Sequence, residues 1–153
     1  MTGQKYIQNI VVEDLMPPQS PEAVKLMEEQ EKAGNTIDRS LLLGIQDSIV
    51  KGSFFAGCEW LWNLTGSGPV NIELAHSHDF DEIIGLIGSD KGRPRELGGE
   101  VEFWMDNEEY IITNTCLMFI PKGVTHCPLI FRRIDSPIFM FEAGNDTNYE
   151  KKR

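Results

Sequence analysis

The sequence has little cysteine, little histidine and a deficit of positive charge. Its three cysteines, Cys58, Cys116 and Cys127, are odd in number and form no CxxC pair. That argues against a disulfide framework and for packed thiols in a reducing compartment. Fourteen Lys and Arg stand against 24 Asp and Glu, a formal net charge of -10. No basic stripe is available for nucleic acid or an anionic membrane surface. No apolar run approaches the roughly 18 residues of a membrane span, and no basic-then-apolar leader opens the chain. The expectation is a soluble, cytoplasmic protein with neither nucleic-acid nor membrane partners. A P-loop, a GxGxxG turn, internal repeats and low-complexity tracts are also missing, which removes the usual nucleotide-binding signatures.

What is present suits one globular domain. The chain has 153 residues, 41% hydrophobic and 25% charged, enough to enclose a core. Lys5 to Val12 reads as a short strand, and Met16-Pro17-Pro18 breaks regular structure. Ser20-Pro21-Glu22 is a helix start: a hydroxyl cap, proline in the first turn, a carboxylate against the dipole. The helix is predicted to run to Ala33 and stop at Gly34-Asn35. After Arg39 the period changes to two, with short apolar strands separated by Gly, Pro and Asp turns. Strands are predicted near Ser40–Ile45, Ser53–Leu64, Asn71–Ser77, Glu82–Ile87, Glu100–Met105, Glu109–Thr113, Cys116–Ile120, Pro128–Arg133 and Ile138–Glu142. The fold class is therefore all-β, a sandwich or barrel with a short N-terminal helix. Residues 1–38 form an extension carrying the helix, 39–143 the barrel, and 144–153 a polar tail expected to fray.

The three histidines are placed unevenly. His76 and His78 are two apart, so in a strand both point to one side, with Ile72 and Leu74, while Glu73 and Ser77 point away. Asp79-Phe80-Asp81 then turns the chain, and Glu82 opens the next strand beside them. His126 follows the turn Pro121-Lys122-Gly123, and the parity His126, Pro128, Ile130 is predicted to face inward. Three imidazoles and one carboxylate suit a single divalent transition metal, Fe, Mn, Zn, Ni or Cu, with positions left for water or substrate.

These motifs resemble those of the cupin superfamily. The first cupin motif reads here as Gly68, His76-Ser77-His78, Glu82 and Gly88; the second as Pro121-Lys122-Gly123-Val124-Thr125-His126. Asn114-Thr115 stands where the second motif usually begins with Gly, and Ile130 where an Asn often ends it. The resemblance covers roughly Leu41 to Glu142. It implies a jelly-roll, double-stranded β-helix barrel, with His76, His78, Glu82 and His126 as metal ligands. It also implies a metal-dependent enzyme on a small organic substrate, of dioxygenase, decarboxylase or isomerase/lyase class. The alternative is a binding or sensor module that does not turn its ligand over. Cupins commonly pair, and a homodimer is expected.

Other residues are read around that centre. Glu82 is both a ligand and a candidate base; no other base is evident. Trp60, Trp62, Leu74, Phe103 and Ile130 are candidates to line a substrate pocket, the tryptophans also suiting a core or an interface. Val101, Phe103 and Met105 are expected inside the barrel. Cys127 is expected to point away from the metal and pack. Asp79 or Asp81 is placed to orient an imidazole. Arg93 and Arg95 are expected in solvent.

Overall fold

A computed structural model describes residues 5–13 and 19–153. Met16-Pro17-Pro18 lies outside these. Lys5 to Val12 is not a strand. It holds one 3-10 turn, Ile7–Asn9, with no buried residue, and no strand among the described residues pairs with it.

Helix α1 (Pro21–Lys32) begins as its residues dictate. The Ser20 hydroxyl accepts from the Ala23 N–H at 3.2 Å, with Pro21 in the first turn and Gly34 at φ 83° just beyond the end. Ala23 is buried, whereas Val24 is exposed. The helix is tied to the barrel by Gln30, whose amide accepts from the Asn71 N–H (2.7 Å) and donates to the Asn71 carbonyl (2.9 Å).

Nine strands follow among the described residues: β1 (Thr36–Ile45), β2 (Phe55–Thr65), β3 (Val70–Glu73), β4 (Glu82–Gly88), β5 (Glu96–Met105), β6 (Glu108–Asn114), β7 (Cys116–Ile120), β8 (His126–Ile134) and β9 (Ile138–Gly144). β1 starts within the span assigned to the N-terminal extension. β3 stops four residues before the expected Ser77. The strands form two antiparallel sheets, in orders β1-β2-β9-β4-β7 and β3-β8-β5-β6. Leu61, Leu86, Val101, Phe131 and Ile138 meet between them at full burial. This is the two-layer, all-β barrel that the period-two patterning implies. No helix among the described residues is long and apolar enough to cross a membrane.

Two parities differ from expectation. On β2 the inward set is Phe55, Gly57, Glu59 and Leu61. Trp60 and Trp62 therefore lie on the outer face, stacked at 5.3 Å, with Trp60 edge-on to Phe139 and the Trp62 indole donating to Ser40 Oγ. On β8 the ladder slips between Phe103↔Leu129 and Met105↔His126. Cys127 sits there at φ 69°, before a cis bond to Pro128. The extra residue of such a bulge changes which side chains face in. His126, Cys127, Leu129 and Phe131 are buried, and Ile130 is turned outward.

Candidate metal centre and adjoining cavity

Four side chains converge at one end of the barrel. His76 and His78 lie on the segment after β3, Glu82 opens β4 and His126 opens β8. All four are at most 2% exposed, and one ligand atom of each lies within 4.8 Å of the others. His76 Nε2 is 3.1 Å from His78 Nε2. Glu82 Oε2 is 2.9 Å from His126 Nε2 and 3.3 Å from His78 Nε2.

The ring orientations follow from the opposite nitrogens. His76 Nδ1–H donates to the Leu74 carbonyl at 2.7 Å, and His126 Nδ1–H to the Val124 carbonyl at 3.0 Å. His78 Nδ1–H donates to the Glu150 carbonyl. With every Nδ1 engaged as donor, every Nε2 presents a lone pair. Three lone pairs and a carboxylate thus face one another. Glu82 Oε2 and His126 Nε2 have no hydrogen-bond partner among the described residues. A buried cluster of acceptors without donors costs free energy, and a cation at its centre removes that cost. Burial is the main cause that lowers the His76 imidazole to about 4, so it stays neutral and able to ligate well below neutral pH. The donor set fits a divalent transition ion.

The surroundings hold the rings in place. Phe80 stacks on His78 at 4.4 Å and 16°, and Phe103 lies behind His126 at 6.5 Å. Gly144 pairs with Glu82 across β9 and β4. A Cβ there would come within 2.5 Å of the Phe80 ring, so glycine is what lets Phe80 reach His78.

A cavity of about 380 Å3 adjoins the centre, with His76 and His126 on its wall. Three further carboxylates line it: Glu59, Glu73 and Glu142. Glu59 is gripped by Arg39 through two contacts of 2.6 and 2.7 Å, and Glu73 pairs with Lys151. Glu142 has no ion-pair partner among the described residues. Burial above all, with the nearby Glu82 charge, raises its carboxyl to about 8. Tyr149 completes the wall, its hydroxyl 3.3 Å from Glu82 Oε1.

The predicted ligand set is thus brought together, while the predicted pocket set is not. Trp60, Trp62 and Ile130 face outward, Leu74 is absent from the cavity wall, and Phe103 belongs to the core. Glu73 faces the cavity rather than away from it, because the ladder of β3 slips between Asn71 and Glu73. Cys127, expected to point away, also lines the cavity; burial keeps its thiol well above the usual range. Asp79 pairs with Lys152, and Asp81 accepts from the Lys122 N–H and the Asn145 amide. Neither touches an imidazole; backbone carbonyls do that work. Arg93 is in solvent, paired with Asp90 and Glu96. Glu59 and Glu142 were legible as lone charges on otherwise apolar strand faces. Tyr149 carried no such signal, and the tail expected to fray is folded against the site.

No family model and no curated protein matches the chain. Solved structures do. Oxalate oxidase aligns over 99% of this chain and 66% of its own, at 12% identity and a TM-score of 0.53. The fold is the cupin fold. A cupin protein from Bacteroides fragilis is similar over 74% of this chain and 82% of its own, at 16% identity and a TM-score of 0.46. KdgF from a Halomonas species is similar over 74% and 81%, at 13% identity and a TM-score of 0.42. At these identities the likeness concerns the cupin barrel alone.

Proposed function

We propose that this cupin is a metal-dependent enzyme acting on a small organic substrate, of dioxygenase, decarboxylase or isomerase/lyase class. His76, His78, His126 and Glu82 hold one divalent transition ion. The ion supplies Lewis-acid or redox chemistry beside the bound substrate. The observation that carries the reading is the buried cluster of four ligating side chains, whose Glu82 Oε2 and His126 Nε2 have no donor among the described residues, beside an adjoining cavity. That cavity is of the size that encloses a small molecule.

The chain's own groups suit such chemistry. Glu142 faces the cavity and is held near neutrality, where a carboxyl can either accept or give up a proton. It supplies a base outside the four-residue cluster. Arg39 and Glu59 neutralise each other and stiffen the wall. Oxalate oxidase has been seen with the substrate analogue glycolate, which makes small hydroxy and keto acids the first substrates to test.

The test is a turnover screen of protein loaded in turn with iron, manganese, zinc, nickel or copper. Keto acids, hydroxy acids, catechols and sugars form the panel. Turnover that disappears in His78→Ala while the barrel stays folded supports the enzyme. Tight binding of one compound with no turnover under any metal would make the protein a binding module instead.

The expected homodimer is retained as part of the proposal. Leu117 and Phe119 on edge strand β7, with Phe54 nearby, are the most exposed large apolar side chains of the barrel, and a sheet edge with such residues favours a partner. Light scattering at micromolar concentration should give twice the chain mass; a stable monomer refutes this part.

A further inference from the structure

Segment 149–153 runs alongside the two-histidine stretch. Ser77 and Lys152 exchange backbone hydrogen bonds, both 2.8 Å. Charge ties the segment down on both sides: Lys151 to Glu73, Lys152 to Asp79, and Arg153 to Glu22 at 3.1 Å and Glu73 at 3.3 Å. Just before these anchors the segment delivers two polar groups to the cluster. The Glu150 carbonyl accepts from His78 Nδ1–H, and the Tyr149 hydroxyl lies against Glu82 Oε1. The Tyr149 ring also packs on Phe55 at 4.2 Å and over His78 at 4.8 Å.

The need for an outside carbonyl at His78 is visible in the hydrogen bonds. His76 and His126 each use the carbonyl two residues earlier in the chain. For His78 that carbonyl belongs to His76, and it already accepts from the His126 N–H at 2.9 Å. The acceptor for His78 comes instead from 72 residues away. An imidazole whose outer N–H has no fixed acceptor is free to rotate or change tautomer, and loses basicity as a ligand.

We propose that segment 149–153 is a working part of the metal centre, in which the Glu150 carbonyl and the Tyr149 hydroxyl are positioning groups for His78 and Glu82. The proposal rests on the four-residue metal site described above. Neither group touches substrate in this role. They act by holding two ligands in the one orientation that the ion requires.

The test uses zinc affinity, by chelator competition, and the visible absorption of the cobalt-loaded protein. Three chains are compared: wild type, Tyr149→Phe, and a chain ending at Asn148. The shortened chain is expected to bind zinc about 10- to 100-fold more weakly, the usual loss when such outer partners go. Tyr149→Phe keeps the ring packing, so folding is not at stake; it should weaken zinc by about tenfold, the low end of that range, and shift the cobalt bands. A merely structural tail would lower the melting temperature of the metal-free protein and leave the cobalt spectrum of Tyr149→Phe unchanged. Wild-type affinity and an unshifted spectrum in Tyr149→Phe overturn the proposal. Failure of the wild-type chain itself to bind zinc or cobalt overturns the metal site, and is a distinct result.

Discussion

His76 and His126 exchange both backbone hydrogen bonds, N–H to carbonyl, at 3.0 and 2.9 Å. The two motifs, separated by fifty residues of sequence, are thereby joined as one rung. Whatever moves one histidine moves the other, and the rung is what sets their side chains face to face.

Because Glu82 and the three Nε2 atoms are all acceptors, Glu82→Gln should have opposite effects with and without metal. The amide supplies an N–H that can reach His126 Nε2. Metal-free protein is expected to gain about 1–3 kcal/mol, the usual cost of an unsatisfied buried group. Zinc affinity should fall steeply at the same time. Thermal melts in the presence of a chelator, set beside zinc titrations, check both directions. A destabilised metal-free variant contradicts the assignment of acceptors.

The metal-free protein should also show opposed pH dependences. Burial lowers His76 to about 4, so its contribution is present above about 6.5 and lost as pH falls toward 4. Burial raises Glu142 to about 8, so its contribution is greatest below about 4.5 and is lost as pH rises toward 8. Between about 6.5 and 8 only the Glu142 slope operates among these two, and stability should decline. Glu142→Gln should flatten that decline. Denaturant melts at pH 6.5 and pH 8 measure it; equal slopes in wild type and variant count against a protonated Glu142.

The Arg39–Glu59 pair lines the cavity at low exposure, 17% and 6% for the two side chains. Arg39→Ala should cost about 3–5 kcal/mol, because it leaves a buried carboxylate alone. Replacing both residues by leucine should recover most of that loss. Denaturation midpoints of the single and double variants decide; an additive loss in the double variant excludes the pairing as the cause.

Gly144→Ala places a methyl group against Phe80, which stacks on His78. The expected cost is about 1–3 kcal/mol of overpacking, together with weaker zinc binding. Phe80→Leu in the same chain should relieve the stability loss. Wild-type stability in Gly144→Ala would show that Phe80 is not held where the structure puts it.

The sequence reached far into this molecule where local rules apply. The helix start at Ser20-Pro21, the change of period after Arg39 and the spacing of His76, His78 and Glu82 depend on neighbours in sequence. The helix and the strands appear in the structure, and these three side chains cluster there with the distant His126. It failed where parity is reset by long-range pairing. The slip at Cys127 turned Ile130 outward and Cys127 inward, and nothing in Pro128 alone says which way a bulge will throw the next side chain. On β2 both faces are apolar enough to be the inner one, and the structure places Trp60 and Trp62 on the outer face, off the cavity wall. Glu59 was the better guide, since a lone charge on an inner face needs a reason and Arg39 supplies it. The contacts of Tyr149 and Glu150 were illegible because their partners lie 67 and 72 residues away.

The central claim is that His76, His78, Glu82 and His126 form one metal site. Isothermal titration of chelator-treated protein with zinc tests it most directly. The account predicts one equivalent bound per chain, with binding lost in His126→Ala while the far-ultraviolet spectrum stays that of a β-barrel. No binding by the wild-type chain, or undiminished binding by His126→Ala, would contradict it.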